Sequence, residues 1–266
     1  MNIKPAGTRF GAYVANRFLL LSPLTAELGL RYDYASYTKD KLFSPRINLV
    51  YALGKQTFLR SGWGYFYQSA GIHEIRVEDG EDQFYPAELA EHWAVGLEHV
   101  FRNGILMRLE GYYKALSHLR PDYRNWANST EFFPELLDRF KLNLNGAESK
   151  GLEFYARYDR GGKITWWASY ALASVRDNTR SLVYQGIEYT EGSGYYPGRY
   201  NQRHTIYFDL NYRPNRNWHF NLAWQYHTGW PYTDQVIKTR TLPDGSTQYD
   251  WMYGEFRGWD NISAMV

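Results

Sequence analysis

Runs of about ten residues in which every second side chain is apolar recur along this chain from end to end. The clearest is HTIYFDLNYRPNRNWHFNLAWQY, residues 204–226. Ile206, Phe208, Leu210 and Tyr212 interleave with Thr205, Asp209 and Asn211, and Trp218, Phe220, Leu222, Trp224 and Tyr226 with His219, Asn221 and Gln225. Period two marks a strand with one wet face and one dry face. The RPNRN between the two runs has the composition of a tight turn. A hairpin of this kind must bury its dry face in a soluble core or show it to lipid.

The same pattern places strands around Phe10–Leu20, Leu24–Tyr34, Ile47–Leu53, Leu59–Tyr67, Trp93–Phe101, Met107–Tyr113, Leu152–Tyr158 and, less cleanly, Ile164–Val175. With the hairpin this gives about ten strands of roughly 10–13 residues, twice the length usual in globular sheets and enough to cross a tilted membrane barrel. The connections alternate. Residues 22–23, 54–56, 102–104, 159–163 and 213–217 are short turns. Residues 37–44, 69–91, 119–147, 177–202 and 229–250 are long loops. Short turns at one end and long loops at the other are the habit of outer-membrane barrels, and a soluble sandwich has no reason to sort them so.

Aromatic side chains make up 18% of the chain, with 25 Tyr and 10 Trp, and their placement explains the excess. Tyr32, Tyr34, Tyr65, Tyr67, Tyr113 and Tyr226 fall where strands enter long loops. Tyr51, Tyr158, Trp166, Tyr212 and Trp218 fall beside the short turns. Two belts of amphipathic rings fit two membrane–water interfaces. The dry face is therefore expected to meet lipid. The opposite face then carries Glu27, Arg31, Asp33, Arg46, Arg60, Glu98, Arg108, Glu110, Glu153, Arg157 and Asp209 into a wet or filled lumen. The mean hydropathy of −0.58 does not oppose this, because barrel strands are polar at alternate positions. A net charge of +2 gives no case for a nucleic-acid partner, and the absence of cysteine excludes thiolate metal sites.

Several stretches resemble TonB-dependent outer-membrane receptors. They are SPRINLVYALGKQTFLRSGWGYFYQ (44–68), AELAEHWAVGLEHVFRNGILMRLEGYYK (87–114), NGAESKGLEFYARY (145–158), and PGRYNQRHTIYFDLNYRP with WQYHTGWPYT (197–233). The resemblance covers about residues 11–253. It implies an all-β, antiparallel transmembrane barrel segment, with about ten long strands of a barrel of about 22 whose lumen is plugged. By the same resemblance, residues 1–266 are one partial barrel domain. The plug and early strands are expected to be missing, and the last strands to be missing after about 255. A truncated or frame-shifted gene product is the explanation expected for that, and for an N-terminus that does not read as a signal peptide. A curved open sheet and a closed ten-strand barrel both stay open as forms of this chain.

The resemblance further implies transport. Such a receptor sits in the outer membrane of a Gram-negative cell, in contact with its lipid. It imports a scarce ligand, such as an iron chelate, cobalamin or an oligosaccharide, with energy from the TonB complex acting through the plug. No enzyme activity and no cofactor or metal is expected. Candidate ligand contacts are the loop aromatics Tyr123, Trp126, Phe132, Tyr195, Tyr196, Trp230 and Tyr232, whose flat rings suit stacking and which lie where binding residues concentrate. Packing of these rings on one another is the competing reading. The acidic run HEIRVEDGEDQ (73–83) lacks the spacing of a calcium loop and reads as solvated.

Two rivals are weighed. Ten strands is also the size of an omptin-like outer-membrane protease, which needs Asp and His at the outer rim; His73, His92, His118 and His204 lie near the outer ends of strands, as do Asp33 and Asp177, without a specific pairing. A soluble carbohydrate-binding module also uses exposed aromatics, and it folds without detergent.

Overall fold

The computed structural model describes residues 6–125, 139–190, 194–241, 245, 247–257 and 262–265. Its main element is one antiparallel sheet. Strands β1 (Arg9–Leu21), β2 (Leu24–Ala35), β3 (Asp40–Ala52), β4 (Thr57–Gln68), β5 (Glu88–Val100) and β6 (Ile105–Ser117) pair in chain order. Next come β8 (Arg139–Tyr158), β9 (Ile164–Tyr184), β12 (His204–Tyr212) and β13 (Phe220–Thr228). These are the ten long strands expected. Three short strands flank them: β7 (Asp122–Asn125) on β8, and β10 (Ile187–Tyr189) and β11 (Gly194–Pro197) on β9. Among the described residues β1 has no partner on its outer edge, so the sheet is open.

The register carries the two-face pattern from strand to strand. Leu28 lies opposite Ile47, Trp63 opposite Trp93, Leu109 opposite Phe154, and Phe208 opposite Trp224. Antiparallel neighbours directly opposite share a face. Every residue of the expected lumen set lies on the other face. There Arg17 Nη2 meets Glu27 Oε2 at 2.7 Å, and Asn48 Nδ2 donates to Glu27 Oε1 at 3.2 Å. Arg60 Nη2 meets Glu98 Oε1 at 2.9 Å. Glu110 stands directly opposite Glu153, with the Arg108 guanidinium nearby over the Tyr155 ring. Among the described residues the buried apolar side chains are all alanines; the apolar face is open instead, with Val95 54%, Leu109 52% and Leu152 52% exposed. A soluble sandwich cannot leave that face bare.

Four loop boundaries differ from the sequence expectation. Residues 37–44 are no long loop: β2 and β3 join through residues 36–39, and Lys39 takes the left-handed conformation with φ 59°. Strands β8 and β9 run 20 and 21 residues, well into the expected loops 119–147 and 177–202. About ten residues cross a membrane, so the rest of each strand stands above it. There both faces meet water, and the alternation that marks a strand fades. The expected loop 229–250 gives way to a hairpin of β14 (Tyr232–Thr241) and β15 (Thr247–Arg257), a separate two-stranded sheet that runs past the loop's expected end. Beyond 255, where no further strand was expected, Ile262–Met265 forms β16 against β13.

Candidate functional site

Strands that overrun the membrane make a wall at the long-loop end, and the connections there pack against it. Between β4 and β5 the chain turns through two short 3-10 helices, Ile72–Glu74 and Val77–Asp79. Their acidic residues are not simply solvated. Arg120, just after β6, reaches Glu74 Oε2 at 2.8 Å and Glu88 Oε1 at 3.2 Å. The Gly71 N–H also donates to Glu74, and these two partners, in that order, hold the Glu74 carboxyl below its usual range. Asp79, only 5% exposed at its side chain, pairs with Arg139 at 3.0 Å. Burial nevertheless pushes the Asp79 carboxyl up, and its buried Oδ2 has no hydrogen-bond partner among the described residues. Among the described residues no group of three acidic or histidine side chains is placed to hold a metal.

Tyr123 belongs to this same cluster. Its hydroxyl, like that of Tyr85, donates to Glu81, while Lys141 donates to the Tyr85 hydroxyl at 2.9 Å. Burial, reinforced by the Glu81 carboxylate, drives the Tyr123 hydroxyl far above the usual tyrosine range. Cations stand over its ring: Lys141 at 5.4 Å, Arg76 and Arg139 each at 5.8 Å. The ring expected to stack on a ligand is thus engaged in joining two loops.

The other aromatic candidates split. Tyr195 and Tyr196 lie on β11 opposite Asn178 and Asp177 of β9. They therefore occupy opposite faces. Tyr196, 44% exposed, continues the polar face; Tyr195, 49% exposed, continues the apolar one, with the Arg176 guanidinium 5.6 Å from its ring. Trp230, 56% exposed, meets Tyr200 edge to face at 5.5 Å. Trp126 and Phe132 lie outside the described residues. Tyr232 opens β14, described as backbone alone.

Sequence reasoning missed the residues that place this rim. Asn201 is fully buried, and its Oδ1 accepts from the Val175 N–H at 2.8 Å. Thr228, also buried, accepts from the N–H groups of Arg203 at 3.0 Å and His204 at 3.2 Å. Together they fix the segment that presents Tyr200 beside Trp230. The only local signal was two small polar residues beside a strand end, which is common. Three of the six His and Asp residues of the protease reading are engaged elsewhere. Asp33 is held by Arg31 at 2.7 Å, His204 shares a hydrogen bond with Tyr170 at 2.9 Å, and His92 stacks on Phe66 at 4.4 Å.

A sheet with long strands, an apolar outer face, a charged inner face and raised loops on one side is the wall of a transmembrane β-barrel. Residues 3–264 match the family described as "TonB dependent receptor-like, beta-barrel", and the chain belongs to that family. No curated protein matches the sequence. Solved structures share the fold. The siderophore receptor PirA from Acinetobacter baumannii aligns with a TM-score of 0.59 at 13% identity, over 84% of this chain and 34% of that one. The pyoverdine outer membrane receptor FpvA from Pseudomonas aeruginosa gives 0.59 at 13%, over 91% and 33%. The FrpB iron transporter from Neisseria meningitidis gives 0.54 at 15%, over 92% and 36%. The chain thus spans about a third of the length of these structures.

Proposed function

We propose that this chain forms part of the wall and outer mouth of an outer-membrane active transporter that takes up a ferric chelate. The observation that carries the reading is the raised part of β8 and β9, which lifts half-exposed aromatic side chains above the polar face of the sheet. Tyr196 on that face, and Tyr200 with Trp230 at the rim, suit the flat, hydrophobic parts of a chelator, and the charged inner face gives a polar path beneath. The named ligands of similar structures, a siderophore and pyoverdine, favour iron chelates over cobalamin and oligosaccharides. Energy comes from the TonB complex acting through a plug, and the seat is the outer membrane of a Gram-negative cell.

The test is uptake in the native cell, with the gene deleted and then restored. Radiolabelled iron is supplied as a panel of ferric chelates, with labelled cobalamin and a labelled oligosaccharide alongside. Loss of uptake of one ferric chelate only, restored with the gene and abolished by a protonophore, supports the reading. Unchanged iron uptake with loss of either other ligand replaces it.

A further inference from the structure

One cavity among the described residues lies on the apolar face, not in the lumen. It is a groove of about 1160 Å³ that crosses the sheet from β3 to β9. Register explains it. One row of the apolar face runs Leu49, Ser61, Val95, Gly111, Leu152, Leu172. Ser61 and Gly111 leave dips between large neighbours. The adjoining row, one step nearer the loops, runs Ile47, Trp63, Trp93, Tyr113, Lys150, Ser174, and its rings overhang the dips. Trp63 and Trp93 pack at 5.8 Å, and Trp63 Nε1 donates to Glu91 at 2.8 Å, which fixes that roof.

The groove has polarity along its length. Its β3 end is lined by Ile47 and Leu49. Its β9 end carries Lys150. The Lys150 side chain is 53% exposed and lies 3.3 Å from Glu148, so its ammonium stands at the surface with donors left for a second partner. Five inter-strand steps span about 24 Å. Because barrel strands tilt by about 45°, that cross-strand run descends by only about 17 Å, close to the half of a core of about 30 Å that one leaflet's chains fill. The aromatic roof belongs at the depth where rings meet headgroups.

We infer that this groove is a binding site for a single anionic lipid of the outer leaflet, its acyl chain under Trp63 and Trp93 and its phosphate at Lys150. Hydrophobic burial supplies little selectivity here, because the surrounding lipid is equally apolar. Selectivity comes from shape at Ser61 and Gly111 and from charge at one end. The inference stands on the lipid-facing wall and is independent of which ligand the barrel imports.

The test is native mass spectrometry of the whole protein, extracted in mild detergent and titrated with phosphatidylglycerol or phosphatidylcholine. The first lipid bound is expected to favour phosphatidylglycerol by about fivefold, the worth of one cation near a membrane surface. Lys150→Gln removes the preference for the anionic lipid while a lipid is still bound. Ser61→Leu fills a dip with a side chain the neighbouring positions already carry, and removes the first tight lipid of either type. Gly111→Ala, a smaller filling, weakens it in the same sense. Equal binding of the two lipids by the unaltered protein, or a Ser61→Leu variant that still heat-shifts like a folded barrel and keeps its lipid, overturns the inference.

Discussion

The guanidinium of Arg120, after β6, sits 2.8 Å from the Glu74 carboxylate, in the loop between β4 and β5. It touches Glu88 as well, at 3.2 Å. The three side chains are less than a third exposed, so the contacts are partly shielded from water. Arg120→Ala leaves two carboxylates facing each other without a cation. It is expected to loosen residues 69–87 by about 1–2 kcal/mol locally while the sheet persists. Hydrogen exchange reads this as faster exchange in that loop alone; a change spread over β4 and β5 contradicts it.

Two acids of that loop respond to pH with opposite sign. Glu74 is held below its ordinary 4.5 by the Gly71 N–H and then Arg120, so its contribution to stability is full above 4.5 and is lost as pH falls through its lower folded value. Asp79 is raised above its ordinary 3.8 by burial, so its contribution is full below 3.8 and is lost as pH rises through the folded value. Glu74→Gln should remove the acid-side loss of loop protection. Asp79→Asn should remove the loss on going from about pH 3.8 upward. Loop exchange rates measured between those limits check both slopes.

Gly151 tests the close packing of the inner face. A Cβ there meets the Leu172 carbonyl oxygen at 2.6 Å and the Tyr112 hydroxyl at 2.9 Å. Backbone cannot swing aside as a flexible side chain can, so Gly151→Ala should cost about 1–3 kcal/mol. Gly54, in the short turn between β3 and β4, has nothing within 4 Å, and Gly54→Ala is the control. The folded, heat-modifiable fraction on gels should fall for the first and hold for the second.

Leu109 and Glu110 are neighbours in β6 and face opposite ways. Leu109, opposite Phe154, is 52% exposed on the apolar face. Leu109→Arg puts a charge in the hydrocarbon and should cost about 2–4 kcal/mol, whereas Glu110→Gln on the wet face should stay within about 0.5 kcal/mol. Denaturant unfolding from lipid vesicles measures both. Equal costs would mean that the two faces are assigned the wrong way round.

How far the sequence alone carried the fold follows from where water is. At membrane depth each strand has one wet face and one dry face, so Leu28, Trp93 or Phe208 announces both strand and face. Above that depth β8 and β9 are wet on both faces, and KLNLN or SVRDNTRS reads as loop although it is strand. The rim was harder still. Tyr123 was legible as an aromatic in a loop region, but not its bond to Glu81, 42 residues away in sequence. Asn201 and Thr228 act through backbone N–H groups of other segments, and no spacing rule exposes such partners.

Tyr195 and Tyr196 offer the sharpest test of where ligand meets this wall. They are adjacent, both tyrosine and almost equally exposed, at 49% and 44%. Their register partners, Asn178 and Asp177, put them on opposite faces of the raised sheet. Tyr195 lies beside the Arg176 guanidinium and shares its face with the lipid-facing rows below; Tyr196 continues the polar face. If the ligand descends along the polar face, Tyr196→Ala should raise the half-saturation concentration for uptake of the ferric chelate several-fold, since a stacked ring is worth about 1 kcal/mol or more. Tyr195→Ala should leave it unchanged, and Tyr196→Phe should keep most of the affinity because stacking needs the ring and not the hydroxyl. Uptake kinetics in cells carrying each variant at matched surface abundance read the difference. Equal effects from Tyr195→Ala and Tyr196→Ala would place the ligand on the loops as a whole rather than on the inner wall.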